Sequence, residues 1–320
     1  MTTQTPSTWQ WIQGLLEPGQ ILSMAMKSYL HVCIEAIVRD GHILAPILDT
    51  QRLRNEAFGR FWLAFSAPPS QIPPAQQPVQ QQPQQPQQVP PRITGSADLI
   101  PPLLATATGL TLDIGPGTGT QIPHLRSPAI TALYGVEPCH PLHDALRARA
   151  TAEGVGEKYT VLGCSVAPAQ LLPALEQAGL STAGDGVFDT ILCVRVLCSV
   201  PDLEGTVQGL YRLLKPGGRV IVVEHVVSAW SRGKGSLVAR VMQGVYEMLG
   251  WRWFVGDCCL TRDTEKVLRM AAREDGGWER VELERYFADG VLPYVAGVLV
   301  KKGGETREVG VEQEGVLRRR

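Results

Sequence analysis

The chain has 320 residues, enough for one large domain or two small ones, and its 44% hydrophobic content suffices for a substantial core. A net charge of −1 argues against a nucleic-acid-binding surface. The seven cysteines are scattered and form no Cys-x-x-Cys pair, so no metal site is expected, and the odd count reads as reduced and intracellular.

At the N-terminus no basic stretch precedes an apolar one, so no signal peptide is expected, and no apolar run reaches the length of a membrane span. Trp9, Trp11, Ile12, Leu15 and Leu16 form a short amphipathic patch that ends at Pro18-Gly19. From Ile21 to Val38 the pattern is helical, with Lys27, His31 and Glu35 on one face. A second helix is predicted from Asp49 to Phe65, with Leu53, Ala57, Phe61, Trp62 and Phe65 on one side. Residues 1–66 therefore read as a helical cover packed on the main domain. The alternative is a helix lying on a membrane surface, which would make a cytoplasmic protein peripheral to a membrane.

Residues 67–97 read as a linker. Between Gln71 and Pro90 ten residues are Gln and six are Pro. Such a composition cannot bury enough apolar surface to offset its ordering entropy, so a disordered tether is expected.

The main domain is expected over residues 98–301. Leu110, Leu112 and Ile114 alternate with Thr111 and Asp113, so a short strand runs into the turn Gly115-Pro116-Gly117-Thr118-Gly119. Gln121, Ile122, His124 and Leu125 then suggest the start of a helix. A strand, a glycine loop and a helix start allow a ligand to lie against bare backbone beside unpaired N–H groups. The dinucleotide spacing would need a glycine where Thr120 stands, and a phosphate loop would need a Gly-Lys-Ser/Thr ending. The spacing present, D-x-G-x-G-x-G, resembles motif I of the class I S-adenosylmethionine-dependent methyltransferases.

Ala132 to Val136 is a second strand, and Glu137 follows 18 residues after Gly119. A carboxylate there can accept hydrogen bonds from both hydroxyls of a ribose, and with the glycine loop at that distance this reading is preferred to an ordinary surface Glu at a strand end. A helix from His140 to Glu153 and a third strand from Tyr159 to Gly163 come next. The resembling family often places an acid just beyond, against the adenine. Cys164 and Ser165 stand there instead, so adenine contacts fall to backbone amides or Ser165.

Phe188 to Val194 is a buried fourth strand that resembles motif IV, with Arg195 at its carboxyl edge. Pro201-Asp202 opens a helix that Lys215-Pro216-Gly217-Gly218 closes, and Arg219 to Glu224 is a fifth strand. That helix–turn–strand wording is very similar to the same region of the superfamily. Glu279–Glu284 and Pro293–Lys301 resemble its antiparallel sixth and seventh strands. Residues 302–320 are Gly, Glu and Arg-rich and read as a disordered tail.

A narrower resemblance joins three stretches: Leu197-Cys198-Ser199-Val200, Glu224-His225-Val226, and Cys258 to Arg262. They are similar to the thiol S-methyltransferase group of methyltransferase-like proteins. The fold implied is α/β: a Rossmann-like, seven-stranded, mostly parallel sheet with an N-terminal helical extension. The cofactor implied is S-adenosyl-L-methionine, held by Asp113, Gly115, Gly117, Thr118, Gly119 and Glu137. Cys164, Ser165 and Cys193 complete the expected cofactor set.

Methyl transfer from a sulfonium is an in-line displacement, so holding the reactants in line and dry is the main task. His225 is a candidate base and equally a structural partner; Arg195 is a candidate anion ligand, or a partner for a helix end. Cys198, Cys258 and Cys259 read as buried packing residues, and Tyr246, Trp251, Trp253 and Phe254 as core or as an apolar acceptor wall. The expected activity is methyl transfer to a small molecule, on the sulfur of a small apolar thiol in the sharpest reading. O- or N-methylation of a metabolite or lipid head group is the nearest alternative. A nicotinamide oxidoreductase, which the spacing at Thr120 opposes, and a catalytically silent scaffold are the rivals from other classes.

Overall fold

A computed structural model of the chain describes residues 8–67, 93–230 and 235–303. The Gln/Pro-rich run expected as a tether, and the tail from residue 304, lie outside the described residues.

Seven strands form one sheet among the described residues: β1 (Gly109–Ile114), β2 (Ile130–Val136), β3 (Tyr159–Leu162), β4 (Phe188–Val194), β5 (Leu214–His225), β6 (Arg280–Tyr286) and β7 (Tyr294–Val300). Their order is β3-β2-β1-β4-β5-β7-β6. β1 to β5 are parallel, and β7 is antiparallel to both β5 and β6. The expectation of two antiparallel closing strands is thus corrected: β6 runs in the same direction as β1–β5, and β7 alone runs against them. β5 begins earlier than expected. Phe188 pairs with Leu214 and Thr190 with Arg219, so residues 215–218 bulge out between them. The Pro-Gly-Gly turn is therefore a bulge inside a strand, with Gly217 at φ 75°.

Ten helices among the described residues surround the sheet. They are α1 (Thr8–Ile34), α2 (Ala45–Leu48), α3 (Thr50–Phe65), α4 (Ile100–Leu104), α5 (His143–Ala152), α6 (Pro168–Gln177), α7 (Leu203–Leu213), α8 (Leu237–Met248), α9 (Trp251–Phe254) and α10 (Thr264–Met270). On one face Leu112, Ile114, Ile191 and Val222 pack against Leu171 of α6, Val207 of α7 and Leu268 of α10. On the other, Leu133, Leu192 and Ile221 pack against Leu104 of α4 and Leu146 of α5. Burial on both faces is the condition for parallel strands, and it explains their continuous apolar runs. Asp202 caps α7, its carboxylate accepting the N–H of Gly205.

The N-terminal patch and the following helix are one element. α1 runs unbroken through Pro18 and continues as a π-helical segment, Glu35–Arg39. Tertiary contact outweighs the proline there: Tyr246 of α8 donates its hydroxyl to the carbonyl of Leu15 at 2.9 Å. This also corrects the membrane-span expectation. Among the described residues, the helix over Trp11–Arg39 is long and apolar enough to cross a membrane. A buried core helix passes the same test, but only 28% of its most apolar window is buried here.

Candidate active site

The glycine loop leaves β1 at the carboxyl edge of the sheet, between β1 and β4, where the strand order reverses. Gly115, Gly117 and Gly119 have φ of 57°, 59° and 76°, a region that side chains disfavour. Each is also crowded. A Cβ on Gly115 would strike Val196, one on Gly117 would lie 2.5 Å from Nε1 of Trp62, and one on Gly119 would lie 2.6 Å from Ile122. The helix expected after the loop is absent; a 3-10 turn at Ile122–His124 stands there instead. Pro123 inside that turn does not stop it, but no helical periodicity follows, because the chain turns directly toward β2.

With no helix N-terminus, the loop amide is satisfied by a side chain. Glu137, at the end of β2, accepts the N–H of Gly117 at 2.9 Å on one oxygen and that of Cys139 at 2.8 Å on the other. Burial raises the pKa of Glu137, and these two N–H groups oppose the rise. Each oxygen keeps a second lone pair for a ligand hydroxyl. Asp113 is fully buried beneath the loop. It accepts from Gln121 at 3.1 Å and from the Tyr159 hydroxyl at 2.9 Å, which fixes the strand–loop junction. Burial carries its pKa to about 7, against those hydrogen bonds and with the help of the Glu137 charge. Asp113 thus fixes the strand–loop junction, while Gly115–Gly119 and Glu137 are the groups that could hold a ligand. Bare backbone beside a carboxylate fits S-adenosylmethionine, whose sulfonium arm and ribose need those two features.

On the adenine side the expected residues differ. Cys164 lines a cleft of about 540 Å³ at the end of β3, with Gly163 and Gln170. Ser165 is engaged locally: its N–H donates to Gln170 at 3.0 Å and its hydroxyl accepts from Ala167. These bonds use its N–H and one acceptor position of its hydroxyl, whose O–H remains available to donate. Cys193 is corrected more firmly. Its side chain is fully buried in the core beside Ile114 and Val222, so only backbone at that strand end could meet a ligand. A larger cavity of about 860 Å³, lined by Leu171, Asp185 and Arg212, lies between α6 and α7 at the opposite edge of the sheet.

The loops after β4 and β5 stand beside the glycine loop, with Val196 against Gly115. Arg195 has φ 57°, and its guanidinium donates to Ser96 at 2.8 Å, at the start of the short helical turn Ser96–Leu99. That contact satisfies only part of the guanidinium, whose Nε is buried without a hydrogen-bond partner. Glu224, fully buried, accepts the N–H groups of Val196 and Leu197 at 2.8 and 3.0 Å. Burial lifts its pKa to about 7, while those N–H groups, His225 and Arg195 pull it down. Cys259 N–H donates to the carbonyl of Cys198 at 2.9 Å, and Arg262 to that of Leu197 at 2.9 Å. The separate stretches of the thiol-methyltransferase resemblance are thus stitched into one wall.

His225 stands in that wall, its Nε2 3.1 Å from Sγ of Cys258 and close to Cys198. Burial lowers its pKa, but Cys198 and Glu224 outweigh burial and leave it raised. Cys198 is pushed well up by its hydrogen bond to Cys258 and by burial. Cys198 and Cys258 are buried as expected, whereas Cys259, expected to be buried with them, is only partly so. Their meeting with His225 is a finding of the structure alone. The three are far apart in sequence, and only the Glu-His and Cys-x-Leu-Thr-Arg wording hints at a shared site.

The N-terminal helices close over this region. Phe61 of α3 and Leu22 of α1 share an apolar cluster with Cys198, Cys258, Tyr246 and Trp251. Thr118 donates to Ser66 at 2.8 Å, so α3 touches the glycine loop through both Ser66 and Trp62. Arg54 donates to Asp257 at 2.9 Å and stacks 4.4 Å above Trp253. Sequence reasoning finds the apolar face of α3 but not these contacts, which depend on where α3 docks.

The sheet order, the glycine loop and the acidic end of β2 define a class I S-adenosylmethionine-dependent methyltransferase domain. Residues 112–222, from β1 into β5, match the Methyltransferase domain family. Human thiol S-methyltransferase TMT1B is 36% identical over 101 residues, which is 32% of this chain and 37% of that protein. Human thiol S-methyltransferase TMT1A is 30% identical over 37% of this chain and 45% of its own length. Phosphatidylethanolamine N-methyltransferase of Cereibacter sphaeroides is 29% identical over 45% of this chain and 63% of its own. The match thus spans less than two thirds of each of these relatives. An O-methyltransferase family protein from Burkholderia thailandensis superposes with a TM-score of 0.46 at 12% identity, over 91% of this chain and 72% of that one.

Proposed function

We propose that this protein transfers a methyl group from S-adenosylmethionine to the sulfur of a small, largely apolar thiol. The observation that carries the reading is the acceptor wall. Leu197-Cys198 and Cys258–Arg262 are hydrogen-bonded together beside the glycine loop, and these are the stretches that resemble thiol S-methyltransferases. Partial identity to TMT1B and TMT1A supports it.

S-adenosylmethionine supplies an electrophilic methyl group on a sulfonium. The chain's residues hold and shield it. Gly115, Gly117 and Gly119 admit the ligand to the backbone, and Glu137 offers its free lone pairs to the ribose. Glu224 fixes the loop after β4, whose Val196 presses on Gly115, so the acceptor wall and cofactor loop keep one spacing. Phe61, Trp62 and Leu22 cover the region with apolar surface and exclude water. A thiol with a pKa of about 8.5 has a usable thiolate fraction near neutrality, so the wall needs no strong base.

The test is a matched panel of alkyl thiols, phenols and amines, with S-adenosylhomocysteine measured from pH 6 to 9. Thiol turnover should dominate and rise with the thiolate fraction. Phenol or amine turnover without thiol turnover would reassign the acceptor and leave methyl transfer standing. N-methylation of a lipid head group is the alternative that the Cereibacter relative favours.

A membrane-surface setting is supported by one feature. Leu30 and Ile34 of α1, Ile47 and Leu48 of α2, and Val241 and Met248 of α8 are exposed. So much bare apolar surface suits a bilayer interface, which would also concentrate apolar thiols. Co-flotation with phospholipid vesicles, lost when Leu30, Ile34 and Leu48 become Ser, is the expected result. Unchanged flotation in that variant would remove this face from the contact.

A further inference from the structure

We propose that Cys198, His225 and Cys258 form a binding site for a soft divalent metal ion, zinc above all, whose open fourth position takes the sulfur of the acceptor. The metal site stands on its own geometry, whereas the fourth ligand rests on the thiol reading above.

The ligand atoms of the three residues lie within 4.8 Å of one another, with His225 Nε2 3.1 Å from Cys258 Sγ. Tetrahedral zinc with sulfur at about 2.3 Å and nitrogen at about 2.0 Å needs ligand separations of roughly 3.5–3.8 Å. His225 Nε2 and Cys258 Sγ would part by about 0.4 Å, and no other separation would have to close by more than about 1 Å, to reach that arrangement. The residues are 3%, 6% and 7% exposed, so any ion here would be nearly free of competing water. Two thiolates and a neutral imidazole around a divalent cation sum to zero charge, the condition under which burial is tolerable. Two sulfurs and one nitrogen select zinc over the hard cations.

The surroundings hold the ligands from several directions. Cys198 is fixed by the N–H of Cys259 on its carbonyl, and its loop by Glu224. Asp257, just before Cys258, has φ 60°, a strained conformation that aims the following residue. His225 ends β5 and packs edge-on against Tyr294, with ring centroids 6.2 Å apart. Its Nδ1 is buried without a hydrogen-bond partner and keeps the imidazole proton when Nε2 ligates. Three protein ligands leave one position open, the arrangement of a reactive rather than a structural site. Cys198 and Cys258 share an apolar cluster with Phe61, Tyr246 and Trp251, surroundings that suit an apolar thiol. An acceptor thiol would bind there as its thiolate. Its proton leaves to solvent, its sulfur–metal bond forms, and a lone pair stays on sulfur for the incoming methyl. No electron is gained or lost.

The full chain is purified from zinc-supplemented cells, dialysed, and its metal counted, with X-ray absorption at the zinc edge to read the ligands. One zinc per chain with two sulfurs and one imidazole nitrogen is expected. Cobalt exchanged into the wild type should give the intense visible bands of tetrahedral geometry and a thiolate charge-transfer band. C198S and C258S should lose that band, and C164S should keep it. Substoichiometric zinc, or zinc without two sulfurs in the wild type, overturns the site, and this measurement holds however the variants fold. Adding an alkane thiol to the cobalt protein, without S-adenosylmethionine, should shift the charge-transfer band. An unshifted band, or equal thiol turnover by zinc-free protein, overturns the fourth ligand while the thiol reading survives. A shifted band with no turnover of any thiol leaves the three-residue metal site standing and overturns the acceptor-sulfur assignment together with the thiol reading.

Discussion

Trp62 lies against Gly117: a methyl group added to that glycine would stand 2.5 Å from the indole nitrogen. The middle glycine of the loop is therefore covered by a residue of α3, more than fifty positions earlier. The N-terminal helices are part of the site's wall rather than a remote appendage.

Gly117→Val should abolish S-adenosylmethionine binding. The side chain meets a left-handed φ, which costs about 1–2 kcal/mol, and also meets Trp62. Gly117→Ala should be milder, and Trp62→Ala added to it should restore part of the lost stability, because the two effects are coupled. Thermal shift with and without the cofactor measures both. Wild-type affinity in Gly117→Val would place the cofactor elsewhere.

Glu137→Ala should weaken S-adenosylmethionine binding by roughly 1.5–3 kcal/mol, the range for hydrogen bonds to a charged group. The same change leaves the N–H groups of Gly117 and Cys139 without their acceptor, so the melting temperature should fall even without cofactor. Calorimetry separates the two losses. A fall in stability with unchanged affinity would make Glu137 a purely structural residue.

The strands are legible because each carries its own signal. β4 and β5 are apolar on both faces, and β1 alternates apolar and polar residues before its glycine turn, so local pattern and final burial agree. The pattern misleads where distant contacts decide. Pro18 reads as a helix end, yet α1 crosses it because Tyr246 and the apolar cluster hold that turn. Gln121 to Leu125 reads as a helix start, yet Glu137 takes the loop amide that such a start would offer. The glycine loop and Glu137 can be named from spacing alone. Cys198, His225 and Cys258 cannot be joined that way, because no local periodicity relates the ends of β4, β5 and α9.

Arg54→Ala should loosen the cover while sparing the core. Arg54 is largely buried, donates to Asp257 and to the carbonyl of Trp253, and stacks on the Trp253 ring. Asp257 is half-exposed, so the ion pair itself counts for little, and a loss of about 1–2 kcal/mol is expected. Acceptor turnover should fall more than cofactor affinity, because α3 reaches the acceptor wall through the same contacts. Hydrogen exchange should quicken in α3 and stay slow in β1 and β4. Equal quickening throughout would mean that the cover and the sheet unfold as one unit.

The last prediction concerns pH. Burial raises the Glu224 carboxyl from 4.5 to about 7 and Asp113 from 3.8 to about 7. A raised folded-state pKa means that the native chain holds these protons more tightly than the unfolded chain does. The stabilisation is complete below the unfolded pKa, about 4, and is lost as pH rises toward 7. His225, also raised, acts in the same direction, but only as pH rises above its ordinary value of 6.5. Glu224 alone should account for up to about 3 kcal/mol of that decline, at about 1.4 kcal/mol per pH unit where it is steepest. Glu224→Gln keeps an oxygen for the N–H groups of Val196 and Leu197 but cannot titrate. Its urea-unfolding free energy should therefore fall less steeply between about pH 4.5 and 7 than that of the wild type, with the Asp113 and His225 contributions remaining. Parallel slopes for the two proteins would show that Glu224 is ionised throughout this range and that its two N–H donors outweigh burial.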